Sequence, residues 1–145
     1  MNISKFTQKS VQAVQDLEKV AYEYGNQEVE QEHLLYALLT QEDSLILKLI
    51  EKMEINKDYF INTVKKALDA KVKVSGGDLR FGQYLNKSLV NAENEAKAMG
   101  DEYVSVEHLF LSLLTQPSPS MKKIFNEFGI TRERFLQALS TVRGN

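Results

Sequence analysis

The chain has no cysteine, which removes disulfides and thiolate chemistry and fits a cytoplasmic protein. Histidine is nearly as scarce. The two residues, His33 and His108, stand far apart, and no H-E-x-x-H pair begins a zinc site, so no metal is expected. There is no G-x-x-x-x-G-K-[ST] loop; Gly76-Gly77-Asp78 lacks the lysine, so no nucleotide is expected either. A nucleophile elbow is also missing, which leaves no catalytic residue to nominate. The net charge of −2 exerts no general pull on nucleic acid or anionic membrane. No apolar run approaches spanning length, and the start Met1-Asn2-Ile3-Ser4-Lys5 lacks the apolar stretch of a signal peptide. The expectation is a non-enzymatic domain over residues 1–145 with no cofactor, its 43% apolar residues sufficient for a core.

What the chain does contain is itself, twice. Glu32-His33-Leu34-Leu35 and the residues up to Gln41 return as Glu107-His108-Leu109-Phe110 and onward to Gln116. The offset is 108 − 33 = 75. Aligning Val29–Gln41 with Val104–Gln116 gives eight identities in thirteen positions, against about one expected from ordinary composition. Phe6 meets Phe81, Ala21 meets Ala96, Gly25 meets Gly100, Ile55 meets Ile130 and Phe60 meets Phe135. The chain therefore reads as repeat one (1–70), a linker (71–80) and repeat two (81–145).

Each repeat predicts four helices. Val11, Val14, Leu17 and Ala21 recur at spacings of three and four behind the N-cap Thr7, and Gly25-Asn26 supplies a left-handed stop. A second helix begins near Glu30 with Leu34, Leu35, Leu38 and Leu39 on its inner face. A third runs from about Ser44 to Lys52, and a fourth follows the cap Asn56. In repeat two, Leu85, Leu89, Ala92, Ala96 and Met99 form the first stripe, ended by Gly100-Asp101. Ser105 caps the next helix. Pro117 and Pro119 stop it, a short helix follows near Met121–Glu127, and Thr131 caps the last. No stretch alternates as a strand does. The fold class expected is all-α: eight helices as two pseudo-twofold four-helix repeats.

Glu32-His33 and Glu107-His108 fall in the first turns of equivalent helices, where a carboxylate meets the positive end of the dipole. In the structural reading Glu stabilises the turn while His packs over it or bonds a neighbouring loop. In the functional reading, each Glu is a solvent-accessible anion that receives Arg or Lys from a partner. The run Glu93–Lys97 reads as a solvated face. Tyr22, Tyr24, Tyr36 and Tyr103 either form an apolar groove for extended polypeptide or fill the seam between repeats.

The early Phe6-Thr7, the Gly25-Asn26 stop, the paired Glu-His-Leu segments, the central Gly76-Gly77-Asp78 and the ending Ala138-Leu139…Val142-Arg143-Gly144 resemble the Clp N-terminal domain. This is the duplicated helical domain that precedes the ATPase modules of Clp AAA+ unfoldases, and the resemblance covers essentially the entire chain. It is most similar to the ClpB disaggregase branch. The resemblance implies a monomeric, non-catalytic domain tethered to a homohexameric ATPase, with ATP and magnesium confined to the ATPase modules. It further implies binding of exposed apolar segments of unfolded or aggregated polypeptides. The polar residues it implicates map to Thr7, Asp101 and Glu107. The alternative resemblance is to ClpC- or ClpA-type domains, which implies adaptor docking or phosphoarginine recognition at Glu32 and Glu107.

Overall fold

The computed structural model describes residues 2–143, so Gly144 of the terminal signature lies outside them. Repeat one contains α1 (Gln8–Glu23), α2 (Gln31–Leu39), α3 (Leu45–Lys52) and α4 (Lys57–Asp69). Repeat two contains α5 (Gln83–Ala98), α6 (Val106–Thr115), α7 (Pro119–Phe128) and α8 (Arg132–Arg143). The all-α class is borne out. The starts of α1, α2 and α4 recur 75 residues later at α5, α6 and α8. The start of α7 comes one residue early because Pro119, expected to block helix, occupies its first position, where the missing N–H is no loss; Ser118 caps it.

Caps seen in the sequence do their work. Thr7 Oγ1 accepts from the Ser10 N–H at 3.3 Å and Asn56 Oδ1 from the Tyr59 N–H at 2.9 Å. Thr131 Oγ1 takes the Arg134 N–H at 3.2 Å. On α1 the buried face is Ser10, Ala13, Leu17, Val20 and Ala21, while Val11 and Val14 are only partly covered. The true stripe is thus rotated from the one traced through the large apolar side chains alone, because Ser10 and Ala13 fit close to a neighbouring helix.

The duplicated segments form α2 and α6, which pack against each other at the centre. Leu34, Leu35, Leu38, Leu109, Phe110, Leu111 and Leu113 are all fully buried, so these two helices are covered almost all round. Each such side chain contributes about 1.5–3 kcal/mol of transfer free energy. Aromatic contacts add to the second half of the core: Phe110 stacks on Phe135 at 4.5 Å and meets Phe125 edge-on at 5.9 Å.

Two parallel two-residue strands, β1 (Glu28–Val29) and β2 (Arg80–Phe81), also form. They are too short to alternate, so no strand signal exists to read. Their pairing has a twin. Val29 pairs with Phe81, and the equivalent residues Val104 and Phe6 pair in an isolated parallel bridge. Thr7 N–H donates to Val104 O at 2.9 Å, and Gly82 N–H, 75 residues on, donates to Val29 O at 2.8 Å. Each repeat therefore threads its entry segment against the first helix–helix loop of the other. At Gly82 the approach is close: a Cβ there would lie 2.9 Å from Glu28 Oε1 and 3.4 Å from Val29 O.

Candidate partner-binding site

The two Glu-His turns are built alike. Glu30 N–H donates to His33 Nδ1 at 2.8 Å, and Ser105 N–H donates to His108 Nδ1, also at 2.8 Å. Each Nδ1 must keep its lone pair to accept, so the proton resides on Nε2. From there His33 donates to Asn26 Oδ1 at 2.9 Å and His108 to Asp101 Oδ2 at 2.8 Å. The histidines thus tie each helix start to the loop before it, as the structural reading expected. Both are fully buried. Burial, reinforced by the nearby Lys71 ammonium, lowers the His33 pKa from 6.5 to about 4.

The chemistry diverges at the equivalent pair Asn26 and Asp101. Asn26 is an amide, 4% exposed, whose Nδ2 donates to Val72 O at 3.0 Å. Asp101 is an acid with a more accessible side chain, and its second oxygen accepts from Arg143 Nη2 at 2.7 Å. The Arg143 hydrogen bond, joined by that from His108, holds the Asp101 carboxyl below the usual range in spite of partial burial.

The paired glutamates are not the exposed anions of the functional reading. Glu32 is 1% exposed; its Oε1 lies 3.3 Å from Lys71 Nζ, and its Oε2 accepts from Ser120 Oγ at 2.5 Å. Its cation comes from within the chain. Glu107 is 7% exposed; it makes no direct hydrogen bond or ion pair among the described residues, but the Arg143 guanidinium lies close enough to feel its charge. The reason for both is the same: the second position of each helix faces the packed loop as well as the helix end. Thr7, Asp101 and Glu107 belong to one region. Thr7 is bonded to Val104, and the loop running from Asp101 through Val104 leads into Glu107 on α6. Glu32 stands at the equivalent place in repeat one.

The reading of Glu93–Lys97 as a solvated face fails at Glu95, which is 5% exposed. Arg132 grips it in a two-pronged pair, Nη2 to Oε1 at 2.7 Å and Nη1 to Oε2 at 3.0 Å, and Thr115 Oγ1 donates at 2.5 Å. Burial alone would raise its pKa, but the Arg132 and Thr115 hydrogen bonds and the Arg132 charge outweigh it and the carboxyl is held low. The clue was its place: Glu95 lies three residues after Ala92 and four before Met99, on the apolar stripe itself. Gln31 carried no such clue. It bonds Ser88 Oγ at 2.8 Å and Gln116 O at 2.9 Å, and accepts from the Ser118 N–H at 2.8 Å, sewing repeat one to repeat two.

The four tyrosines do not share one groove. Tyr24 and Tyr36 meet edge-on at 5.7 Å, whereas Tyr22 and Tyr103 stand out in solvent, 73% and 54% exposed. Among the described residues no group of three or more acidic, histidine or cysteine side chains could hold a metal ion, and no helix is long and apolar enough to cross a membrane.

A duplicated bundle with exchanged entry segments and paired Glu-His helix starts defines a double-repeat helical module. Residues 5–128 match the family model of the Clp repeat (R) N-terminal domain, and the chain belongs to that family. Over its full length it is 41% identical to the chaperone protein ClpB of Clostridium tetani and 39% identical to that of Nitratidesulfovibrio vulgaris. It spans only 17% and 18% of those proteins. The N-terminal domain of Hsp104 from Candida albicans superposes with a TM-score of 0.82 at 22% identity, covering 97% of this chain and 93% of that one. A ClpV N-domain in complex with a VipB peptide superposes at a TM-score of 0.71 with 21% identity, covering 95% of this chain and 86% of that one. The module is a Clp chaperone N-domain.

Proposed function

We propose that this is the substrate-binding and regulatory N-domain of a ClpB-type ATP-dependent disaggregase, without catalysis or cofactor of its own. The observation that carries this reading is the 39–41% identity to ClpB proteins along the entire chain. In this reading the domain binds exposed segments of unfolded or aggregated polypeptides at the region of Thr7, Asp101 and Glu107 and hands them to ATPase modules, in a homohexameric parent. Two features of the site support it: the Asp101–Arg143 pair is partly exposed at the surface, and Glu107 has no direct hydrogen-bond or ion-pair partner among the described residues, so the region carries charge that a partner can meet. Exposed Tyr103, two residues beyond Asp101, and Ile3, at 54% and 50%, supply apolar contacts beside those acids. Binding by one domain is weak, and tethered copies in the parent supply avidity.

Adaptor or phosphoarginine docking at Glu32 and Glu107 is the competing function. It is disfavoured on the repeat-one side by the burial of Glu32 under Lys71 and Ser120. Fluorescence anisotropy with a labelled, permanently unfolded model protein, run beside a calorimetric titration with free phosphoarginine, separates the two. Saturable binding of the unfolded chain with no phosphoarginine heat is expected. The reverse pattern overturns the disaggregase reading.

A further inference from the structure

In repeat one the segment after α4, Lys71–Val74, folds back as a strap across the Gly25-Asn26 loop. Val74 N–H donates to Gly25 O at 2.9 Å, and Asn26 Nδ2 donates to Val72 O at 3.0 Å. The alternation of the strap is inverted. Its lysines reach inward: Lys71, with its side chain 15% exposed, puts Nζ 3.0 Å from Glu30 and 3.3 Å from Glu32. Lys73 Nζ donates to Tyr24 O at 2.6 Å and to Leu68 O at 3.0 Å, at the C-terminal ends of α1 and α4. The valines face out, Val72 80% and Val74 41% exposed. An extended segment on a core does the reverse, with its apolar residues inside.

The strap therefore buries no apolar side chain of its own, and charge pairs and hydrogen bonds hold it. Partly exposed ion pairs contribute little each, which places the strap among the elements that open locally while the core stays folded. Its exit is loose. Ser75 to Asp78 are all exposed, and Gly76 and Gly77 take φ +79° and +85°, conformations that glycine enters freely. Beneath the strap lies an acidic seat: Glu30, Glu32, the Gly25 carbonyl and the negative ends of two helix dipoles. The groups that form this seat and the segment that fills it all belong to residues 24–74.

We propose that the strap is a detachable internal ligand that holds this seat shut, and that a basic, extended segment of another polypeptide takes its place when it lifts. This rests on the reading of the domain as a polypeptide-binding module and adds to it a regulated seat with a ligand chemistry distinct from apolar segments. A backbone N–H of the incoming segment replaces that of Val74 on the Gly25 carbonyl. A lysine or arginine replaces Lys71 between Glu30 and Glu32. Acidic segments are rejected by the same carboxylates. The strap has the advantage of its tether, an effective concentration on the order of millimolar, so dilute competitors are kept out and the intact chain presents repeat two alone.

The test is an NMR titration of the 15N-labelled chain, as the parent and as the double variant Lys71→Gln with Lys73→Gln. The probes are the capped peptide Lys-Val-Lys-Val-Ser, the sequence of residues 71–75, and its charge-reversed form Glu-Val-Glu-Val-Ser. The parent is expected to bind the lysine peptide only in the millimolar range, with saturable shifts at Gly25, Asn26, Glu30 and Glu32. The variant should bind it roughly tenfold more tightly, the strap no longer competing. Silence of the parent, equal affinity in a folded variant, or equal shifts with the glutamate peptide would each overturn the proposal. Hydrogen exchange of the parent gives a second reading that needs no variant: the Val74 amide should exchange far faster than that of core Leu38, and a Val74 amide as slow as Leu38 overturns the proposal. A parallel titration uses an unfolded model protein with acetylated lysines. If that protein binds while the lysine peptide is silent, the strap proposal fails and polypeptide binding stands; if neither binds, both readings fail.

Discussion

The two repeats share a scaffold and differ in what they leave open. In both, a histidine at the third position of the second helix closes the helix start and bonds the residue after a left-handed glycine. In repeat one that residue is an amide, a lysine neutralises the glutamate next door, and a strap covers the loop. In repeat two it is an acid paired with Arg143, and the glutamate has no direct hydrogen-bond or ion-pair partner among the described residues. Duplication thus left one copy of the loop closed by uncharged hydrogen bonds and the other by an ion pair. The shared Leu34/Leu109 pair belongs to the core, while the divergent Asn26/Asp101 pair differs in burial as well as in charge.

The largest effect that sharpens this comparison is in the shared core. Leu34→Ala and Leu109→Ala, both at fully buried equivalent positions, each destabilise by about 2–5 kcal/mol. Urea denaturation should show the two losses similar to each other; a near-neutral result for either would break the equivalence of the halves.

Acid is the next largest perturbation, and it acts on repeat one. His33 is neutral in the fold with its pKa lowered from 6.5 to about 4, so between those values the unfolded chain binds a proton that the native chain does not. Stability from this site is complete above pH 6.5, falls as pH drops and is lost by about pH 4, a loss on the order of 3 kcal/mol. Chemical denaturation at stepped pH checks the window, and Asn26→Asp, which copies repeat two, should raise the His33 midpoint because a carboxylate then faces Nε2.

A smaller loss is expected at the Glu95–Arg132 pair. Glu95→Ala leaves Arg132 partly buried and costs about 2–3 kcal/mol, below the ~3–5 kcal/mol of a wholly buried pair because the Arg132 side chain is 39% exposed. The double variant Glu95→Val with Arg132→Lys installs the residues found 75 positions earlier, Val20 and Lys57, and should lie within about 1 kcal/mol of the parent. Melting curves of both variants decide the point; a double variant as damaged as the single one would show that the two scaffolds are not interchangeable. The smallest effect is at the surface. Tyr103→Ser, at a 54% exposed position, should shift stability by no more than about 0.5 kcal/mol while lowering affinity for an unfolded chain severalfold.

Most of the fold was legible because its signals are local. Thr7, Asn56, Ser105 and Thr131 announce helix starts, and Gly25, Gly100 and Gly129 announce stops, through backbone geometry that involves neighbours in sequence. The 75-residue offset carried the topology. What could not be read depends on groups distant in the chain. The Lys71–Val74 segment lacks any helical or strand period, so it passed for a plain linker, though Lys71 meets Glu30 and Glu32 some forty residues away. Gln31 and Ser120 look like ordinary surface polars until the repeats are docked. Asp101 and Glu107 were nominated by the resemblance to Clp N-terminal domains. Only the geometry separates Glu107, which has no direct partner among the described residues, from Glu32, which Lys71 and Ser120 hold.

The most direct measurement is an amide shift map of the labelled chain saturated with an unfolded model protein. The account predicts perturbations at Thr7, Gly100, Asp101, Tyr103 and Glu107, with their repeat-one counterparts Gly25, Asn26 and Glu32 unmoved. Equal perturbation of both sets, or a map centred elsewhere, would contradict the claim that divergence between the copies created the binding face.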